Sequence, residues 1–198
     1  MVARKRRIWS SKTRVRSFLR RFAEMEVEAL DRLRAHVRDA AIAERRSIDR
    51  RAARLPAEVQ EFLADDLHEL DAICALSDQL SIVALYRVVE INTGRILGHQ
   101  YGAAASRNAS SISRLRSFLN RQGINLDRIP QFGAVNELRL LNNAIKHAGD
   151  VTPELASEYP RWKQGEELTG LGAAYERLKG HIPSYIFRLA ERLKLRFK

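Results

Sequence analysis

The most informative segment of the sequence is ICALSDQLSIVALYRVVEI, residues 73–91. Its apolar side chains occur almost all round the helical wheel, so a helix here would have no wide polar face. A helix of that kind is normally the central one of a bundle. Runs of alternating Val, Ile, Thr and Tyr, which would indicate strands, are absent from the whole sequence. The segment therefore predicts an all-α fold.

Prolines and glycines on both sides of this segment divide the chain into helices. The predicted helices cover about residues 17–55, 57–97, 110–121, 132–147 and 171–196, with a candidate bend at Pro183. Residues 148–169 contain two glycines and two prolines and are predicted to form a long irregular loop, a feature that is often functional. We therefore expect a bundle of four to five helices with a long basic N-terminal helix. The expected organisation is a basic arm, residues 1–16, followed by a single helical domain, residues 17–198.

The composition is that of a basic chain with enough apolar residues for a core. Of the 198 residues 45% are hydrophobic, and 35 Lys and Arg against 24 Asp and Glu give a formal charge of +11. A surplus of this size favours a polyanionic partner such as nucleic acid. The single cysteine, Cys74, excludes an internal disulfide framework and a Cys-rich zinc site, and it fits a reducing compartment. We therefore expect a cytoplasmic protein.

The sequence gives no indication of a membrane segment. No uninterrupted apolar run approaches the roughly 18 residues that a membrane helix needs. Residues 1–22 are basic but lack the apolar stretch of a secretory signal. We therefore expect neither membrane contact nor secretion.

The N-terminal segment carries the strongest charge bias. Between Met1 and Phe22 nine residues are cationic and none is acidic. The nine are Arg4, Lys5, Arg6, Arg7, Lys12, Arg14, Arg16, Arg20 and Arg21. One interpretation is a solvated, partly disordered tail, and the other is an arm that contacts phosphates, with aromatic residues that stack on bases. The second interpretation makes Arg4, Lys5, Arg6, Arg7, Arg14 and Arg16 candidate nucleic-acid contacts.

Several familiar site motifs are absent. The chain has no GxxxxGK[ST] or GxGxxG phosphate-binding loop and no GxSxG nucleophile turn. Asp65 and His68 have a spacing that occurs in metal-binding bundles, but no second pair is found for a facing helix, so an exposed helix face is the simpler interpretation. We expect neither a metal nor another cofactor.

The segment VNELRLLNNAIKH, residues 135–147, has an unusual polar pattern. At helical spacing, one stripe contains Ala134, Leu138, Leu141 and Ile145, and a row on nearly the opposite side contains Asn136, Leu140, Asn143 and His147. Asparagine is only a middling helix former, and histidine exchanges protons near neutral pH. His147 is therefore either a candidate functional residue, flanked by Arg139 and Lys146, or a residue that simply ends the helix before Gly149.

The same residues resemble a known family. ELRLLNNAIKHAG, residues 137–149, is similar to the signature helix of HEPN domains (higher eukaryotes and prokaryotes nucleotide-binding). LSIVALYRVVEINT, residues 80–93, resembles the long helix that precedes it in that family, with Glu90 at its acidic position. The resemblance covers about residues 57–195. It implies an all-helical bundle that dimerises, in a family with many metal-independent ribonucleases of toxin–antitoxin, abortive-infection and other antiphage-defence systems.

One position departs from the family's catalytic pattern, which is an arginine, then a polar residue, then a histidine, with four to six residues between arginine and histidine. His147 and Asn143 match this pattern, but Asn142 occupies the position of the arginine. The nearest upstream arginine, Arg139, has seven residues between it and His147. Asn142 cannot supply a permanent positive charge to a phosphate.

The resemblance implies a role for each candidate residue. In metal-independent RNA cleavage the ribose 2′-hydroxyl is the nucleophile, His147 acts as general base or acid, and Asn143 orients phosphate or ribose. Arg139 or Lys146 would stabilise the developing negative charge. Glu90 would hold the imidazole or a cation, unless it is only the ion-pair partner of Arg87 three residues earlier.

Two hypotheses about function follow from these residues. The first is an RNA-directed HEPN-like ribonuclease that acts as a homodimer, with a cognate antitoxin or defence-system partner. The second is a catalytically inactive HEPN module that binds nucleic acid or a protein partner. Asn142 is the residue that separates the two hypotheses.

Overall fold

A computed structural model describes the backbone of residues 11–147 and 149–194, with side chains for residues 17–56, 63–147 and 149–194. This described part of the chain is all-α, as the sequence predicts, and its only extended pairing is an isolated antiparallel bridge between Asp150 and Glu167. The helices are α1 (Ser11–Ala52), α2 (Ala57–Tyr101), α3 (Ala103–Ser106), α4 (Ile112–Arg121), α5 (Phe132–His147), α6 (Pro153–Glu158), α7 (Leu171–Lys179) and α8 (His181–Arg192). Two 3₁₀ turns, Arg107–Ser110 and Leu126–Arg128, lie beside α4.

The helix boundaries differ from the predicted ones in two long helices. α1 begins at Ser11 rather than near residue 17. α2 continues past Gly94 and Gly98 as far as Tyr101. The residue that ends α2 is Gly102, whose φ of 91° lies in the left-handed region that a helix cannot continue through.

The predicted loop 148–169 contains a short helix, α6. Thr152 caps it by accepting a 3.3 Å hydrogen bond from the Leu155 amide, and Pro153 occupies the first turn, where its missing N–H is not needed. The predicted last helix is divided at Gly180 into α7 and α8. Pro183 explains the division, because it cannot donate to the Lys179 carbonyl four residues earlier. It therefore lies in the first turn of α8.

The chain divides into two compact units. The described residues of unit 1 are 11–26, 87–136 and 180–194, and those of unit 2 are 27–86, 137–147 and 149–179. The core of unit 1 contains fully buried apolar side chains from α2, α4 and α8, among them Ile96, Leu97, Leu119, Ile186 and Leu189. Its polar contacts include Glu26, which accepts from Asn92 and Arg95 at 2.6 and 2.9 Å.

Unit 2 combines an apolar core with a chain of ion pairs. Buried apolar residues include Ile82, Leu85, Leu138, Leu141 and Leu178. Arg34, only 4% exposed, donates to Asp78 and to Glu176, each at 2.6 Å. Burial alone would lower the pKa of Arg34, but the hydrogen bonds and negative charges of Asp78 and Glu176 outweigh it and raise the pKa. The guanidinium is therefore compensated inside the unit rather than available to a ligand.

Gly172 on α7 is required by the close approach of this ion-pair cluster. A Cβ added there would lie 2.3 Å from Oδ2 of Asp78 and 2.8 Å from Nη2 of Arg38. Both distances are too short for unbonded atoms, so any larger residue would force the cluster to move.

The first part of the segment 73–91 is less buried than its sequence predicts. Ile73, Leu76 and Leu80 are 43%, 54% and 58% exposed, and the first buried residues of the segment are Ser81 and Ile82. The physical reason is that the face of this part of α2 that meets α1 carries Asp78, which forms ion pairs with α1. Leu76 and Leu80 are each two residues from Asp78, about 200° away around the helix, and so point elsewhere.

One helical stretch, Leu63–Tyr101, is long and apolar enough to cross a membrane by length and composition alone, with a mean hydropathy of 1.5. The core helix of a soluble protein passes the same test, and a third of the most apolar window is buried within the protein. The expectation of no membrane contact therefore stays a prediction.

Candidate functional site

The candidate site is the C-terminal end of α5, which lies in unit 2. Leu138, Leu141 and Ala144 are fully buried and anchor this part of the helix. The helix ends where Gly149, with φ 75°, turns back and donates from its amide to the Ala144 carbonyl at 2.9 Å. Burial and a glycine cap thus position the last helical turn.

The end of α5 exposes part of the predicted polar row. Lys146 and His147 are exposed and Asn143 is partly exposed. The earlier part of the row is not at the surface, because Leu140 and Asn136 are 1% and 8% exposed. The row predicted from the helical spacing is therefore exposed only at its C-terminal end, because protein covers Leu140 and Asn136.

Asn142, at the position of the family's arginine, is a buried residue of unit 2. Its side chain is 3% exposed, and its amide donates to Oδ1 of Asn143 over a long distance, 3.4 Å. Its Oδ1 is a buried acceptor without a hydrogen-bond partner. A buried carbonyl without a donor is costly, and a longer cationic side chain at this position would have to leave its charge in the same apolar surroundings.

Arg139 is bound rather than presented to the surface. Its Nη2 donates to Oε1 of Glu154 on α6 at 2.9 Å, and the Arg139 side chain is only 12% exposed. The carboxylate neutralises the charge that the catalytic hypothesis needs. Arg139 therefore serves a phosphate only if Glu154 releases it.

Glu90 belongs to unit 1 and takes the simpler of its two predicted roles. Its Oε2 accepts from Nη1 of Arg87 at 3.2 Å, three residues earlier on α2. This geometry is the i, i+3 ion pair that the sequence allows. Its predicted contact with the imidazole of His147 stays untested.

The candidate contacts in the N-terminal arm are only partly described. Arg4, Lys5, Arg6 and Arg7 lie outside the described residues. Arg14 and Arg16 lie on the first turns of α1, outside the part of the chain whose side chains are described.

Glu137 is a buried, hydrogen-bonded carboxylate that is not among the candidate residues predicted from the sequence. Its carboxylate is 3% exposed and accepts from Nη2 and Nη1 of Arg177 at 2.7 and 2.8 Å and from Nε1 of Trp162 at 2.9 Å. Burial by itself would raise the pKa of Glu137, but these hydrogen bonds and the positive charges of Arg177 and Arg161 lower it below the usual range. A glutamate inside an otherwise apolar helix face was the available signal.

The Glu137 contacts give the segment after α5 a structural role. Trp162 donates its indole N–H to the carboxylate of Glu137 on α5. This contact joins the segment 149–169 to α5, and the bridge between Asp150 and Glu167 joins the two ends of the segment to each other.

Comparisons with known proteins leave the family open. No family model matches the chain, and no curated protein or solved structure matches it either. Among the described residues, no group of three or more His, Cys, Asp or Glu could hold a metal ion. The resemblance to HEPN domains therefore stays a prediction that rests on residues 80–93 and 137–149.

Proposed function

We propose that this chain is a HEPN-like RNA-directed protein that contacts RNA with the exposed end of α5. The observation that carries the proposal is the joint exposure of Lys146 and His147 one turn after Asn143. Asn143 and His147 are four residues apart and share a helix face. Together with Lys146 they offer an amide, an imidazole and an ammonium, which are groups that bind phosphate and ribose. The formal charge of +11 adds a general attraction to RNA.

RNA binding without efficient cleavage is the form of this function that the geometry supports best. Stabilising a phosphorane-like transition state needs a preorganised positive charge at the phosphate. Asn142 is neutral and buried, and Arg139 is paired with Glu154. Lys146 is the remaining described cation on the last turn of α5.

Metal-independent cleavage is the second candidate function, favoured by the accessible imidazole of His147. His147 would remove the proton of the ribose 2′-hydroxyl, whose oxygen attacks the phosphorus to form a 2′,3′-cyclic phosphate. The bond to the 5′-oxygen of the next nucleotide breaks, and that oxygen leaves as a hydroxyl with a proton from water. Asn143 would orient the phosphate or ribose, and Lys146, or Arg139 after its release, would stabilise the negative charge. A homodimer that brings two α5 ends together would double the available cations.

The binding proposal is tested with a double variant, Lys146→Gln with His147→Gln, in fluorescence anisotropy with a labelled single-stranded RNA. We expect affinity to fall about fivefold to twentyfold, because two charge-assisted or polar phosphate contacts are lost. Lys163→Gln is the matched control, since Lys163 is an exposed lysine of the same unit, paired with Glu166 at 3.4 Å. Equal losses in the double variant and the control would contradict a specific contact at α5.

Cleavage is tested by incubating the purified chain with total RNA and tRNA in EDTA. Fragments that appear with the wild type and disappear in His147→Ala would support the ribonuclease. Intact RNA at high protein excess would exclude the ribonuclease and leave the binding function. Sedimentation at tens of micromolar tests the proposed homodimer, and a cytoplasmic antitoxin or defence partner remains part of the proposal.

A further inference from the structure

Unit 1 contains a cavity of about 730 Å³ that the sequence gives no hint of. The end of α2, the turn after α4, the 3₁₀ turn at Arg128 and the end of α8 form its walls. Its volume is in the range of small-molecule sites, roughly 300 to 1,000 Å³. The residues that line it are Gln100, Tyr101, Gln122, Gly123, Ile124, Asn125, Arg128, Arg192, Leu193 and Lys194.

The charge of this cavity is one-sided. Arg128, Arg192 and Lys194 line it, and no acidic residue does among the described residues. The carboxylates nearest in sequence are already bound by other arginines. Asp127, next to Arg128, accepts from Arg116 at 2.7 Å.

The same arrangement is repeated at the end of α8. Glu191, next to Arg192, is paired with Arg188 at 3.0 Å. No ion pair of Arg128, Arg192 or Lys194 is found within the described part of the chain. Three cations therefore line one concave volume, and Asp127 and Glu191 each have an arginine partner that does not line it.

Helix dipoles do not account for this cluster. α2 and α8 both end at the cavity, and each helix end carries about half an elementary negative charge. Main-chain hydrogen bonds already satisfy some of the carbonyl groups at these helix ends. The Gly102 amide donates to the Gly98 carbonyl at 2.9 Å, and the Leu193 amide donates to the Leu189 carbonyl at 3.0 Å. Even with the end of α4 included, three half charges are outweighed by three full positive charges.

We propose that this cavity binds a small phosphorylated ligand, with Arg128, Arg192 and Lys194 as the groups that bind its phosphates. Guanidinium groups suit phosphate because they donate two parallel hydrogen bonds. A compact diphosphate concentrates several negative charges in one place, as the converging cations require. This site lies on unit 1, whereas the proposed RNA contact is at the end of α5 in unit 2.

Neutral groups of the cavity would contact the rest of the ligand. The hydroxyl of Tyr101 is protonated at neutral pH because the ordinary tyrosine pKa is about 10, and it can therefore donate a hydrogen bond. The Tyr101 ring is held edge-on by Phe118, with centroids 5.2 Å apart. Oδ1 of Asn125 accepts from the Asp127 amide at 2.9 Å, and the side-chain NH2 group still has two N–H donors.

The test is calorimetric titration of the full chain with sodium pyrophosphate at constant ionic strength. We expect binding to the wild type and a loss of affinity of about tenfold or more in Arg128→Gln with Arg192→Gln, since hydrogen bonds to charged groups are lost. Arg107→Gln with Arg114→Gln is the matched control, because both are exposed arginines of unit 1 outside the cavity. Lys194→Gln is a milder variant for the case that the double substitution prevents folding.

Adenosine diphosphate is titrated in parallel to identify the source of the phosphates. Tighter binding than pyrophosphate supports the site with a nucleotide as ligand, and equal binding supports it with an inorganic diphosphate. No binding of either probe overturns the proposal, as does an equal loss in the cavity and control variants. Pyrophosphate binding that persists in the cavity variant while RNA binding fails also overturns it, because the cations would then serve RNA.

Discussion

Nη2 of Arg139 donates a hydrogen bond of 2.9 Å to Oε1 of Glu154, which joins the middle of α5 to α6. The arginine nearest to His147 on α5 is thereby neutralised by a carboxylate. Thr152 and Pro153 place Glu154 in the first turn of α6. The segment that the sequence predicts as a loop thus controls the availability of a candidate site residue.

Replacing Glu154 by Gln should remove the carboxylate that neutralises Arg139. We expect RNA affinity to rise about twofold to fivefold, since one repulsive negative charge is removed from the region of the site. Stability should change by less than about 1 kcal/mol, because Glu154 is largely exposed. Glu166→Gln, which breaks the exposed pair with Lys163, is the control for a general gain of positive charge. A gain of the same size in both variants would contradict a specific role for Arg139.

Restoring the arginine of the family pattern, Asn142→Arg, should destabilise the protein rather than activate it. The Asn142 side chain is buried, so we expect a loss of about 3 kcal/mol or more in urea unfolding from an uncompensated buried charge. Asn142→Leu should be close to neutral, because it removes a buried carbonyl that has no donor. If Asn142→Arg has the same urea midpoint as the wild type and cleaves RNA, burial at position 142 is not what prevents an arginine there.

Glu137 should make stability dependent on acid. Its pKa is lowered in the folded state, so the stability it contributes is present above the ordinary glutamate pKa of about 4.3 and is lost as the pH falls through the lowered value. Glu137→Gln should therefore cost about 2 kcal/mol at neutral pH, where charged hydrogen bonds are lost. The difference from wild type in urea unfolding should shrink in strong acid. A difference that is the same at every pH would show that the ionised carboxylate is not what matters.

Removing residues 1–10 tests the basic arm without shortening α1, which begins at Ser11. The deletion removes Arg4, Lys5, Arg6 and Arg7. If all four contact phosphates, the slope of log affinity for single-stranded RNA against log salt should shrink by about 3, because each contact contributes about 0.7. An unchanged slope would identify the arm as a solvated tail. The thermal midpoint serves as the control for folding.

Local pattern was sufficient to predict the helical class and most helix positions. α5 begins and ends at the predicted residues, Phe132 and His147, because its apolar spacing and the following glycine are local signals. The same kind of signal missed α6, since a helix of one to two turns has too few residues for a period. Pro183 was predicted as the site of a bend, but the helix divides at Gly180 instead. The N–H that Pro183 lacks would have bonded to a carbonyl one turn earlier, so the division falls there.

The sequence by itself determined an all-α, basic chain and brought Asn143, Lys146 and His147 to one helix end through their spacing along α5. Only tertiary structure decided which of these groups reach solvent. Asn142 is buried and Arg139 is bound to Glu154 fifteen residues away, because exposure and ion pairing depend on what packs against a helix face rather than on the helix itself. The cations of the unit 1 cavity come from separate segments around Arg128 and Lys194, and no periodicity along a single helix connects segments that only folding brings together.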